Sequence, residues 1–277
     1  EATTTLGGRV AKERTLPGLS AWGRVSDYRT GQLGPMPNVE IYRDSPLAPE
    51  DLLAMGADHI AIATGATWRR DAVARLHLHG VPTDPRMPLF TPDDLMAGLC
   101  PEDQTVTLYD DDHYYMGSVL AELLVQKGNR VHFVTPAVKV AEWTDNTLEQ
   151  GTIMRRLLEL GVEIHLSKAP EAIGAKEVTL GCTWTGRQTT LPTEAVVHVT
   201  SRIPNDQLFH ATKALDWQAQ GIRTLTLIGD AAAPGPIAWA TYAGRTWAEG
   251  LDQPTQGDTL TFRREIAALD PGPSLLP

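Results

Sequence analysis

Cysteine is scarce in this sequence. Cys100 and Cys182 are the two in 277 residues, a usage that fits a reducing cytosol better than a disulfide-stapled scaffold. Two thiols cannot supply the four ligands of a cysteine-bound iron–sulfur cluster. Apolar runs are short, and none approaches the roughly 18 residues of a membrane-crossing helix. Positive charge is also limited. Lys and Arg number 24 against 34 Asp and Glu, for a net charge of −10. No basic stripe stands out, so nucleic acid and anionic membrane surfaces are not expected as partners. No repeat of 20–50 residues is visible. The most telling absence is a motif. Nowhere do glycines fall in the G-x-G-x-x-G spacing of a dinucleotide-binding turn.

What is present suggests that such a turn belongs with this chain. HIAIATGA (His59 to Ala66) and RTLTLIGDA (Arg223 to Ala231) each read as a short apolar strand entering a small-residue turn. Glycines there let a backbone approach a nucleotide phosphate closely. Thr64, Gly65, Gly229 and Asp230 are therefore candidate ligand contacts. Asp230 either accepts hydrogen bonds from ligand hydroxyls or caps the helix that follows. The N-terminal stretch EATTTLGGR adds Glu1, Gly8 and Arg9. An acid at a strand end accepts ribose hydroxyls in dinucleotide folds, and Gly7-Gly8 forms a turn beneath the nucleotide or an ordinary glycine turn. The chain opens at Glu1, just past the place where the missing motif would stand. The expectation is a fragment of a larger redox enzyme, with its first strand and glycine-rich turn absent.

The length suggests about two domains, and 42% apolar residues can fill real cores. The segment 19–33 reads as a helix, and the prolines of 80–100 prevent long regular structure there. From Thr105 the pattern becomes β-α-β. Strands are expected at 105–109, 130–134 and 162–166, with helices at 118–127 and 148–160 between them. The segments 176–182 and 188–200 read as antiparallel additions, and 236–251 as a helix. The fold class is α/β, with two Rossmann-like, three-layer domains of FAD/NAD(P)-binding type. Residues 1–100 and 200–277 form an ADP/FAD-binding-like domain. Residues 101–199 form an NAD(P)-binding-like domain inserted into it.

In the inserted domain the position of the second nucleotide turn is taken by DDDHYYMG (Asp110 to Gly117). Three acids and two tyrosines fill and repel where a pyrophosphate would lie. A metal site at Asp110, Asp111, Asp112 and His113 is disfavoured because consecutive side chains cannot all point inward. His77 and His79 read as surface residues, and His132, His165 and His198 as strand histidines with local hydrogen bonds. Tyr28, between Asp27 and Arg29, reads as a partner-facing aromatic or a half-buried packing residue. No catalytic or metal-ligating residue is assigned.

The stretches GGRVAKERTLPGLSAWGRVSDYR, HIAIATGATW, TLEQGTIMRRLLELGV and LIGDAAAPGPIAWATYAGR carry a family likeness. Through them the chain resembles the C-terminal region of the trimethylamine, dimethylamine and histamine dehydrogenase family. More distantly it resembles the dienoyl-CoA reductases and NADH:flavin oxidoreductases. The resemblance implies a parent with an N-terminal barrel holding FMN, a [4Fe–4S] cluster, and oxidative demethylation or deamination of an amine. It implies that the present region holds ADP, that electrons leave to an electron-transferring flavoprotein, and that the parent forms homo-oligomers. The alternative is a reductase in which the same region binds FAD and NAD(P)H. The DDDHYYMG loop places the chain with the amine dehydrogenases. The fragment alone is expected to be inactive, and the parent cytoplasmic.

Overall fold

The computed structural model describes residues 1–251. In chain order its strands are β1 (His59–Ile62), β2 (Ala66–Trp68), β3 (Leu89–Phe90), β4 (Thr105–Asp110), β5 (Arg130–Val134), β6 (Glu163–His165), β7 (Lys168–Ile173), β8 (Glu177–Cys182), β9 (Gln188–Pro192), β10 (Ala195–Val199), β11 (Arg202–Pro204) and β12 (Thr224–Leu227). Its α-helices are α1 (Gly8–Glu13), α2 (Arg24–Leu33), α3 (Pro49–Ala54), α4 (Pro92–Met96), α5 (Tyr115–Gln126), α6 (Gln150–Glu159), α7 (Gln207–Lys213) and α8 (Ile237–Glu249). They form two compact units. One takes Glu1–Leu47 and Gly65–Asn205, the other Ala48–Thr64 and the chain from Asp206.

The first unit is built on a parallel sheet of order β3-β10-β4-β5-β6. β4 is buried from Val106 to Asp110 and β10 along its whole length. A strand covered on both faces needs an almost continuous apolar sequence, as TVTLY and AVVHV supply. On one face Val106, Leu108, Val131, Phe133 and Val197 pack with Leu120 and Leu124 of α5 and Leu157 of α6. On the other, Tyr109, Val134 and Val196 pack with Ile173, Val178 and Leu180 of the antiparallel sheet β7-β8-β9. α5 ends where expected, before Gly128 at φ +79°, a left-handed backbone that glycine adopts without strain. On α6, Leu157 is buried and Leu158 is exposed.

One strand assignment needs correction. The segment 188–200 reads as an antiparallel addition, but only β9 pairs that way. After Thr193 the chain crosses back, and β10 enters the parallel sheet beside β4. The uninterrupted apolar run is the mark of a central parallel strand, and its proximity to β9 in sequence obscured it. The chain builds outward through β4, α5, β5, α6 and β6, then returns to the opposite side of β4. The reversal lies between β4 and β10, where open α/β sheets form a crevice at the carboxyl ends of the strands.

The second unit pairs β1 with β12 in parallel, His59 against Thr224 through Ile62 against Leu227. Leu52, Ile60, Ile62 and Ile222 make its core, with Leu208, Phe209 and Trp217 packed against it.

Candidate functional site

The DDDHYYMG loop sits at the topological reversal of the first unit. The amides of Asp111 and Asp112 both donate to the Val199 carbonyl at the end of β10, at 2.9 and 3.2 Å. The Asp110 side chain is fully buried. Its Oδ1 accepts the amides of Asp112 at 3.2 Å and His113 at 3.3 Å. A carboxylate of the chain itself thus holds amides in the turn where a phosphate would be cradled. The turn closes early enough for α5 to begin at Tyr115, three residues before the expected Ser118. His113 makes the turn with a backbone in the left-handed region, φ +64°. Gly117 keeps close packing. A Cβ there would stand 2.8 Å from Asp110 Cγ.

The three acids point to different partners, as the spacing suggests. Asp111 Oδ2 accepts the Leu76 amide at 2.9 Å, and its Oδ1 lies 2.9 Å from His113 Nε2. Asp112 feels the positive charges of Arg202, Arg75 and Arg9. A cavity of about 230 Å³ opens beside the loop, lined by Arg75, Leu76, Asp111, His113, Pro136, Ala137 and Glu142. At its rim the Arg75 guanidinium lies over the Trp143 ring, 4.5 Å from the centroid, within cation–π range.

Burial dominates the electrostatics of the loop. It pushes Asp110 up to about 7, helped by the charge of Asp112. It raises Asp112 as well, against the pull of the three arginines. Burial draws the His113 imidazole down, yet the bond to Asp111 and the charges of Asp110 and Asp111 outweigh it, and the group rises. His198 on β10 is pushed down to about 4 by burial. Asp110 Oδ2, His113 Nδ1, Thr200 Oγ1 and both His198 nitrogens are buried without a hydrogen-bond partner among the described residues. His198 therefore lacks the local hydrogen bonds expected of it. Its ring instead meets Tyr109 edge-on, with centroids 6.4 Å apart.

The other sequence-predicted residues divide between the units. In the first, Glu1 Oε1 accepts the Thr3 amide at 3.2 Å and the Thr3 hydroxyl at 3.0 Å. Gly8, at φ +53°, opens α1, and Gly65, at φ +78°, accepts the Asn205 amide through its carbonyl at 2.9 Å. A Cβ at either glycine would meet nothing within 4 Å. Arg9 Nε pairs with Glu13 at 2.8 Å, and Glu13 also accepts the Tyr115 hydroxyl at 2.9 Å. In the second unit Thr64 follows β1, and Gly229 turns at φ +59° against Ala240 of α8. Asp230 Oδ1 accepts the Gly235 amide at 3.0 Å. The residue before α8 is Pro236, so Asp230 does not occupy the capping position.

Glu13, Arg75 and Arg202 were not anticipated. Each reaches the loop across a long stretch of chain, and no local pattern marks them. Tyr28 is 67% exposed on α2, so its packing alternative is not the one adopted.

The description of an OYE-like second alpha/beta domain matches residues 90–186. The dimethylamine dehydrogenase of Hyphomicrobium sp. (strain x) is 29% identical over 289 residues, which take in 95% of this chain and 39% of that protein. The histamine dehydrogenase structure from Rhizobium sp. 4-9 superposes with a TM-score of 0.93 at 54% identity, covering 98% of this chain and 42% of its own. The 6-hydroxypseudooxynicotine amine oxidase of Pseudomonas geniculata N1 gives 0.84 at 42% identity, with 88% and 36% covered. The chain is thus a mixed α/β protein homologous to about two fifths of the length of the dimethylamine and histamine dehydrogenases.

Proposed function

We propose that this chain is the nucleotide-holding and acceptor-docking region of a flavin-dependent amine dehydrogenase, built of dinucleotide-type folds, with no hydride transfer of its own. The observation that carries the reading is the filled turn after β4. Asp110 takes the amides that a pyrophosphate needs, and Asp111 and Asp112 add negative charge beside them. In the whole protein FMN would accept the electrons of the amine, and an iron–sulfur cluster would pass them on. The two cysteines here cannot by themselves bind such a cluster.

The adenine nucleotide expected in this region is ADP. Gly8 and Gly65 hold the main chain in left-handed conformation with open space alongside, which suits close approach of a ligand. Glu1 offers an exposed carboxylate for a ribose. Calorimetric titration of this chain with NADPH is expected to show nothing tighter than about millimolar, near −4 kcal/mol. Mass spectrometry of ligand released from the full-length protein is expected to find an adenine nucleotide. Low-micromolar NADPH binding would move the protein to the reductases. Absence of adenine nucleotide would remove the ADP reading.

Acceptor docking is assigned to the face that bears Tyr28. Its neighbour Asp27 is held by both terminal guanidinium nitrogens of Arg14, at 2.6 and 2.9 Å, and the Tyr28 ring is exposed. Buried aromatics are frequent anchors of interfaces. In the full-length enzyme, Tyr28→Ala is expected to slow reoxidation by an electron-transferring flavoprotein several-fold while flavin reduction by substrate is unchanged. Stopped-flow traces with both half-reactions at wild-type rates would rule this out.

A further inference from the structure

His132, Glu163 and His165 form a cluster on the edge of the parallel sheet, away from the β4 turn. β5 and β6 pair in parallel with His132 opposite Glu163 and Val134 opposite His165. Residues two apart on a strand share a face, so Glu163 and His165 point the same way, toward His132. His132 Nδ1 lies 3.2 Å from His165 Nε2 and 3.5 Å from Glu163 Oε2, and His165 Nε2 lies 3.5 Å from Glu163 Oε1. Potential ligand atoms of all three lie within 4.8 Å of one another.

We propose that these three residues bind a divalent transition-metal ion, zinc in the first instance. The argument is geometric. Zinc bonds of about 2.0–2.1 Å in tetrahedral array place neighbouring ligand atoms about 3.3–3.4 Å apart. The 3.2 Å between the two ring nitrogens is close to one edge of that tetrahedron, and each ring nitrogen has one of the two Glu163 oxygens at 3.5 Å. As hydrogen bonds the same contacts are poor. The two carboxylate distances exceed the usual range, and a ring–ring bond at 3.2 Å needs one imidazole to donate to the other. The ligand set of two imidazoles and a carboxylate suits zinc and its borderline neighbours, with a fourth position left for water.

The His132 and His165 side chains are 5% and 13% exposed while Glu163 is 46% exposed. Entry is therefore from the carboxylate side. One competitor is present. Arg130 Nη2 sits 3.1 Å from Glu163 Oε2, but its side chain is 71% exposed and free to turn into solvent.

The test is titration of the whole chain with zinc chloride, followed by calorimetry and by thermal unfolding. One equivalent is expected to bind with a dissociation constant of about 10 µM or tighter and to raise the unfolding temperature, since an ion bound only to the folded state stabilises it. Glu163→Gln and His165→Ala, the more exposed ligands, are each expected to weaken binding at least tenfold. Arg130→Ala is expected to strengthen it by removing the competing cation. Absence of binding below about 100 µM in the wild type would overturn the proposal. Unchanged affinity in folded Glu163→Gln and His165→Ala variants would do the same, by placing the ion elsewhere.

Discussion

Asp110→Asn is expected to stabilise the chain at pH 8 by up to about 4 kcal/mol and to leave it nearly unchanged at pH 4. The residue is fully buried, and its acid stands at about 7 against roughly 3.9 in an unfolded chain. A carboxyl with a raised folded pKa holds its proton more tightly folded than unfolded. Its contribution to stability is fully present below about pH 4 and is lost as the pH rises through about 7. Three units of displacement correspond to about 4 kcal/mol. Asparagine keeps an oxygen to accept the amides of Asp112 and His113 and carries no charge to bury. Urea unfolding of both proteins at pH 4, 6 and 8 measures the difference. A gap that does not widen with pH would show that Asp110 is ionised without penalty. His198 acts at the other end of the scale. Held down at about 4, it opposes stability as the pH falls from about 6.5, in both proteins alike.

Gly117→Ala is expected to cost about 1–3 kcal/mol, the range for an added methyl in a filled interior. The new Cβ would lie 2.8 Å from Asp110 Cγ and 3.0 Å from its Cβ. Relief requires the Asp110 side chain to leave its two amides. The two residues should therefore be coupled, and Asp110→Ala, which removes the carboxyl group but keeps Cβ, should remove part of the penalty of the second substitution. Helix propensity works the other way, since alanine is the better helix former by about 1 kcal/mol. A Gly117→Ala protein as stable as the wild type would mean that propensity wins and that the contact is soft. Equal penalties in the two backgrounds would mean that Asp110 is not the obstacle.

The parallel β-α-β core was legible because it is local. Arg130–Val134 is found at the expected bounds, and the glycines after α5 and α6 end those helices. β10 was not legible, because its partner in the sheet is chosen by a crossover and not by its neighbours in sequence. The same divide runs through the site. The substitution of glycines by acids after β4 can be read directly, and it carries the functional reading. That Asp110 points inward, Asp111 toward Leu76 and Asp112 toward three arginines depends on segments that meet only in the fold. The histidine–glutamate cluster hides for a related reason. Glu163 and His165 are two apart, but the register of β5 against β6 is what brings His132 to them. Read singly, these histidines are ordinary strand residues.

The late return of β10 also bears on how the chain reaches its fold. β4 and β10 lie at the middle of the sheet, yet the Thr105 amide meets Glu194 across 89 residues. Contacts of such separation are slow to form, because the closure entropy is lost before the pairing is gained. A chain emerging from the ribosome completes β4, β5 and β6 well before β10 exists. In that interval β4 presents an unpaired, apolar edge, and such edges template association with other chains. The order of synthesis therefore exposes the centre of this sheet, and not its rim, to misassembly until residues 195–199 have been made.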